Sequence, residues 1–250
     1  MHIPKKRALQ QGLSVIELLI GVAVGLFILS GALMLFGDYI NNNRRLVLET
    51  QVNQDMRAAA DLIARDLRRA GYWGNATAGV FTNNNISATA SSPYAAVSPS
   101  GTASSSTTTY SYSQDNTENN TLDNAEKFGF RLNAGVLQYQ QGNANWQAIT
   151  DSNTLKIDKF TVTPTPKPSP EKMCVQLADY CTGGSSTCAS CTVDPDSGCP
   201  TAACATCPFI KVRSYDIALQ GTSKTDTTVT RSIQETVRVR NEELLGSCPL

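Results

Sequence analysis

The sequence predicts an α+β protein: one long N-terminal α-helix, part membrane anchor and part amphipathic, packed on an antiparallel β-sheet head. Three observations carry this. Residues 18–37 contain no charge over 20 positions, enough to span a bilayer core as a helix. Val52, Met56, Ala59, Ile63, Leu67 and Ala70 then recur at steps of four and three, one face of an amphipathic helix. Beyond Asn124 this spacing gives way to short runs separated by turn residues. Helix first and strands after is the order of an α+β head.

A basic leader with Lys5, Lys6 and Arg7 stops at Gly12, and the apolar run starts at Leu13 with one carboxylate, Glu17, inside it. An acid near the middle of a bilayer costs about 2.5–3.5 kcal/mol on insertion scales, so a lone one is a functional residue by default. A snorkelling acid at the end of an anchor is the alternative. Glu17 has no cationic side chain beside it within the run. An ordinary secretory signal has its small-residue cleavage site after the apolar region. Here the glycine precedes that region, so cutting there leaves the helix on the mature chain. The leader cations predict a cytoplasmic N-terminus and a head on the other side of the membrane.

Lys5-Lys6-Arg7…Gly12, Leu13 and Glu17 together resemble the class III signal of type IV prepilins. The resemblance implies cleavage after Gly12 by a prepilin peptidase, N-methylation of Leu13, and a subunit-assembly role for Glu17 toward the N-terminal amine of a neighbouring subunit. Asp61-Leu-Ile-Ala-Arg-Asp-Leu-Arg-Arg-Ala-Gly-Tyr-Trp-Gly74 resembles the helix end of PilW-type minor pilins. With the leader and anchor, the likeness covers about the first 75 residues. It implies a pilin-like fold and a minor pilin acting in pilus assembly and in pilus-dependent motility or adhesion. Its expected partners are the prepilin peptidase, other minor and major pilins, the inner-membrane assembly platform and membrane lipid. Its expected location is the bacterial inner membrane, with the head in the periplasm, and then the pilus. Two rivals stand beside it: a minor pseudopilin of a type II secretion system, and an adhesive surface-binding module at a pilus tip.

Composition excludes other classes. Removing the leader's three cations leaves 18 Lys and Arg against 21 acids, a mature net charge of about −3, so nucleic-acid binding is not expected. The one locally basic stretch, Arg65, Arg68 and Arg69, reads as a solvated, partner-facing helix surface. The only histidine, His2, goes with the leader. A mature chain without it has no Ser-His or Cys-His chemistry and lacks the commonest metal ligand. No P-loop and no G-x-G-x-x-G occurs. No catalytic residue, cofactor or metal is expected.

Along the chain the expected divisions are a leader over 1–12, a membrane or filament-core helix over 13–37, an amphipathic helix over 38–74, a polar low-complexity loop over 75–124, and the head over 125–250. One helix is expected from near Leu13 to Ala70, roughly 85 Å at 1.5 Å per residue, with Gly71 as its stop. Asp61–Arg65 and Asp66–Arg69 are spaced to support a solvated helix face. Gly21-x-x-x-Gly25 reads equally as a close-packing motif or as ordinary membrane-helix composition. The 75–124 stretch is too poor in large apolar residues to offset its ordering entropy.

Lys127–Asn133, Gly135–Gln140, Asn145–Thr150, Leu155–Thr163, Phe209–Gln220 and Thr227–Arg240 read as strands, the last with Val229, Ile233, Val237 and Val239 on one face. Pro164, Pro166, Pro168 and Pro170 end a strand and force an extended linker.

Eight cysteines, Cys174, Cys181, Cys188, Cys191, Cys199, Cys204, Cys207 and Cys248, include a loop over 174–207. Cys188-x-x-Cys191 and Cys204-x-x-Cys207 have zinc-ribbon spacing. A segment outside the cytoplasm meets an oxidising system, which favours structural disulfides of undetermined pairing. Zinc and redox readings remain as alternatives. Asp194-Pro-Asp196-Ser-Gly198 reads as a turn, lacking the closing Glu of a calcium loop.

Overall fold

The computed structural model describes residues 14–79, 92–100, 103–115, 117–165, 174–176 and 209–245. Gly12, Leu13, Pro166, Pro168, Pro170, the turn at 194–198 and every cysteine except Cys174 lie outside these residues. The chain divides into two units, Met1–Val47 and Leu48–Leu250.

In the first unit an apolar helix carries its large side chains on the outside. Phe27 is 81% exposed and Met34 77% exposed. It is long and apolar enough to cross a membrane. Among the described residues nothing lies within 4 Å of a Cβ placed on Gly21 or Gly25.

The helix α1 runs from Val15 to Arg69. In the second unit its apolar stripe of Val52, Met56, Ala59, Ala60, Ile63, Ala64 and Leu67 is buried, as the spacing predicts. After Arg69, Gly71 adopts φ +76° at the C′ position, which a β-carbon would strain. The helix's last carbonyls are then met from one segment. Arg240 N donates to Arg68 O at 3.1 Å, and Asn241 Nδ2 donates to Arg69 O and Ala70 O at 3.2 and 3.1 Å.

Among the described residues ten strands follow: β1 (Thr107–Ser111), β2 (Lys127–Asn133), β3 (Val136–Gln141), β4 (Trp146–Ala148), β5 (Leu155–Pro164), β6 (Cys174–Gln176), β7 (Phe209–Lys211), β8 (Ser214–Ser223), β9 (Thr230–Arg238) and β10 (Glu243–Leu245). They form three antiparallel sheets, ordered β1-β2-β3-β4, β5-β8-β9 and β10-β7-β6. The first two share one core with α1. Phe128, Phe130, Tyr110 and Leu137 come from one sheet, Leu155, Phe160, Ile217 and Leu219 from the other. Gly221 of β8 lets the helix approach, since a Cβ there would sit 3.0 Å from Leu155 Cδ1 and 3.1 Å from Met56 Sδ. This is the pilin-like α+β architecture.

Four departures from the expected elements have physical causes. Part of the polar stretch over 75–124 is ordered: Thr107–Ser111 is a strand, continued by buried Tyr112. Its β-branched threonines suit a pleated surface, and Tyr94, Tyr110 and Tyr112 supply the apolar area that composition understated. Phe209–Gln220 is not one strand but two, β7 and β8, in different sheets. The break falls at Val212 and Arg213, where Arg213 turns inward, only 6% exposed. Asn145–Thr150 shortens to β4 because Thr150 Oγ1, rather than a main-chain group, accepts from Leu137 N at 3.0 Å. Thr227–Arg240 shortens to β9, with Val229 and Val239 buried just outside it. In β5 a bulge between Ile157 and Lys159 rephases the strand, so Leu155 and Ile157 face the core with Phe160 and Val162.

Candidate functional site

At the start of α1, Ser14 Oγ accepts from Ile16 N at 3.4 Å, and Glu17 Oε2 accepts from Ser14 N at 3.3 Å. This is a reciprocal capping arrangement of the S-x-x-E kind, and the carboxylate lies where the helix dipole favours negative charge. Glu17 is exposed, like the apolar residues around it. The sequence reading singled out Glu17 but missed Ser14; the spacing of Ser14 and Glu17 was the available signal.

At the other end of the helix the head is tied on by charge. Asp66 was expected on a solvated face with Arg69, and that is corrected: Asp66 is 4% exposed. It falls three residues after Ile63 and so lies on the core side, a signal present in the apolar spacing. Tyr110 Oη donates to Asp66 Oδ2 at 3.0 Å, and Arg69 Nη1 approaches Oδ1 at 3.8 Å. The Arg69 guanidinium lies 4.3 Å from the Tyr112 ring centre. Arg68 pairs with Glu235 of β9 at 3.2 Å, and Glu49 pairs with Arg231 of β9 at 2.5 Å. Arg68 and Arg69 therefore tie the helix to the head while their side chains stay about half exposed, and Arg65 is exposed beside them.

Behind Asp66 stands an aromatic ladder. Tyr112 and Phe128 stack at 4.1 Å and 5°, and Phe130 and Tyr139 meet at 5.1 Å. The Arg68–Gly74 turn docks on the extension of β1. Gly71 N donates to Ser111 O at 2.8 Å, Ser113 N to Tyr72 O at 2.9 Å, and Trp73 Nε1 to Asn120 Oδ1 at 3.1 Å. Nearby, Tyr94 Oη lies 3.0 Å from both Glu118 Oε1 and the Glu126 carboxylate. Burial opposes ionisation of Glu118. Hydrogen bonds from Ser113, the Asn120 N–H, Tyr94 and the Gly74 N–H outweigh it and hold its pKa below the usual value.

Burial, then hydrogen bonds to Glu118 and Glu126, pushes the Tyr94 hydroxyl upward. Burial and the charge of Asp66 push Tyr110 and Tyr139 the same way. A group whose folded pKa is raised contributes stability that is present below its unfolded pKa, near 10 for tyrosine, and is lost as pH rises above it. The stability contributed by Tyr94 and Tyr110 is therefore expected to fall as pH rises above about 10. Urea unfolding at two alkaline pH values, followed by tyrosinate absorbance, checks this; a flat stability across that range would contradict it.

Among the described residues no group of three or more His, Cys, Asp or Glu side chains could hold a metal ion. In the first unit Ser14 and Glu17 cap the start of the helix, and in the second unit the charged and aromatic contacts clamp the helix to the head.

The comparisons agree with this architecture. A family model, PpdB, described as prepilin peptidase-dependent protein B, matches residues 45–239. No curated protein and no solved structure matches the chain. The matched segment covers the second half of α1 and the head through β9, well over half of the sequence. The chain belongs to the prepilin peptidase-dependent protein B family, pilin-like structural proteins tied by that description to the prepilin peptidase.

Proposed function

We propose that the chain is a minor type IV pilin of the PilW kind, cleaved after Gly12, methylated at Leu13 and inserted into a pilus or its priming complex through Glu17. The observation that carries this is a single carboxylate at the head of an outward-facing apolar run that carries no other charge through residue 37. An unpaired acid in hydrocarbon is costly, whereas an ion pair with the Leu13 amine of a neighbouring subunit offsets that cost and sets subunit register. The apolar helices then bundle as the filament core, with the heads outside and reached through the periplasm. The ending Arg68-Arg69-Ala70-Gly71-Tyr72-Trp73-Gly74 favours the pilus reading over a type II secretion pseudopilin. Neighbouring genes for pilus or secretion components separate the two.

Glu17→Ala is the test. Removing the charge eases membrane insertion, so processing and membrane content should stay at the wild-type level. Incorporation into sheared filaments, or co-purification with other minor pilins, should fall about tenfold, the effect of losing about 1.4 kcal/mol of pairing. Unchanged incorporation would remove Glu17 from assembly.

The cysteines over 174–207 and Cys248 are read as structural disulfides of a periplasmic head. Protein isolated from the periplasm should then carry no stoichiometric zinc and few titratable thiols under denaturing, non-reducing conditions. About one zinc per chain, with instability caused by a chelator rather than a reductant, would replace that reading with a metal site.

A further inference from the structure

A cavity of about 780 Å³ opens in the head beside β1, walled by the segment from Ala95 to Ser100, the start of β2, and residues 211–215. Its charged described lining is Lys127, Lys211 and Arg213, with no carboxylate among those residues. Arg213 is more than nine-tenths buried. Its Nη1 donates to Ala95 O and its Nη2 to Asn241 O at 3.1 Å, both neutral carbonyls, while Nε has no hydrogen-bond partner among the described residues. Lys127 Nζ, at the opening of β2, donates only to the Asn124 side chain, at 2.9 Å.

Taking an ion out of water costs several kcal/mol. Arg213 lies against the C-terminal end of α1, its Nη2 3.0 Å from where a Cβ on Gly71 would stand. A helix terminus returns only part of that cost. Dipole and carbonyls together leave the Arg213 charge without a carboxylate partner among the described residues, so its side of the cavity favours an anion.

The volume selects among anions. It far exceeds what an inorganic ion fills and falls among sites for drug-sized ligands. The lining pairs cationic groups, suited to carboxylates, with the apolar wall of Val97, Leu122 and Pro164, suited to aliphatic stems. The Ala95–Ser100 wall joins β1 by one reciprocal main-chain pair, Ser98 N to Thr109 O at 2.8 Å and Thr109 N to Ser98 O at 3.0 Å. An extended chain can lie along it.

We propose that this cavity takes an acidic peptide segment of a neighbouring subunit, its carboxylates set against Lys127 and Arg213. The identity of the partner as a subunit rests on the pilin reading above; the binding chemistry does not.

The probe is a fluorescent hexaglutamate peptide, titrated by anisotropy against the full chain in neutral detergent at low salt. Wild type should bind it and not the hexalysine counterpart. Lys127→Gln should weaken binding about tenfold, and Ser100→Trp, which fills the mouth without changing charge, should do the same. Both should melt at the wild-type temperature. Lys224→Gln, an exposed lysine outside the cavity, should leave binding unchanged. Absence of peptide binding, equal weakening by Lys224→Gln, or displacement of the peptide by an equimolar amount of inorganic phosphate would each overturn the proposal. Wild-type filament incorporation alongside absent peptide binding would sink this site alone. Peptide binding by a chain absent from filaments would sink the pilin reading instead.

Discussion

Phe128→Ala should cost about 3–5 kcal/mol, the range for deleting a fully buried aromatic ring, and should lower the melting temperature of the head by on the order of 10 °C. Phe128 is 1% exposed and stands at the centre of the aromatic ladder. It stacks on Tyr112 at 4.1 Å and neighbours Tyr110 and Tyr139 at 6.0 and 6.4 Å. Removing it leaves a cavity behind the two residues that meet the helix: Tyr110, which donates to Asp66, and Tyr112, which carries Arg69. The loss therefore reaches the helix clamp and not only the sheet. Trp146→Ala is the comparison. Trp146 is half-buried at the sheet edge, where Arg131 lies 4.3 Å from its ring centre, a contact worth about 0.5–1 kcal/mol when exposed. Thermal melts of both variants by near-ultraviolet circular dichroism check the contrast. Equal losses would mean that the ladder does not hold the head together.

Gly12→Glu should abolish processing. The substitution puts a long charged side chain beside the expected scissile bond, where glycine has no Cβ. The leader would stay attached, with Lys5, Lys6 and Arg7 keeping it on the cytoplasmic side. Its retention also removes the chemistry proposed for assembly. With the Gly12–Leu13 amide intact there is no Leu13 amine, so a neighbouring Glu17 has no cation to pair with. The variant should therefore accumulate in the membrane with its leader and be absent from filaments, whereas Glu17→Ala should be processed, enter the membrane and be depleted about tenfold from filaments. Intact mass of the membrane-extracted protein distinguishes the two. A Gly12→Glu chain at mature mass would dismiss the class III leader.

What was legible in the sequence follows from what one-dimensional patterns record. The stripe from Val52 to Leu67 and the stop at Gly71 were readable because helix burial has a fixed period and αL backbone prefers glycine. β2 falls at Lys127–Asn133 as expected, between turn residues at both ends. Asp66 was misplaced because its pairing with Arg69 looked like surface charge, although the position is on the buried stripe; only its partner, Tyr110, lies far away in sequence. β1 was hidden because Ser-Thr composition signals low apolar content, while the three tyrosines that bury it are spread from 94 to 112. The break at Arg213 left no local mark, since the acceptors that draw it inward, Ala95 O and Asn241 O, are distant in the chain. The bulge at Asp158 is similar: its side chain accepts from Thr222 of β8 at 2.5 Å, a contact made across strands. At the N-terminus, the lone acid of the apolar run was visible, but its cap with Ser14 was overlooked.

The central claim is that this chain is a processed subunit of a filament. Mass spectrometry of pili sheared from cells that express it tests that claim most directly. The account predicts a peptide from this chain that begins at Leu13, with its α-amine methylated. Pili devoid of the chain, or a chain that still begins with its leader, would contradict it.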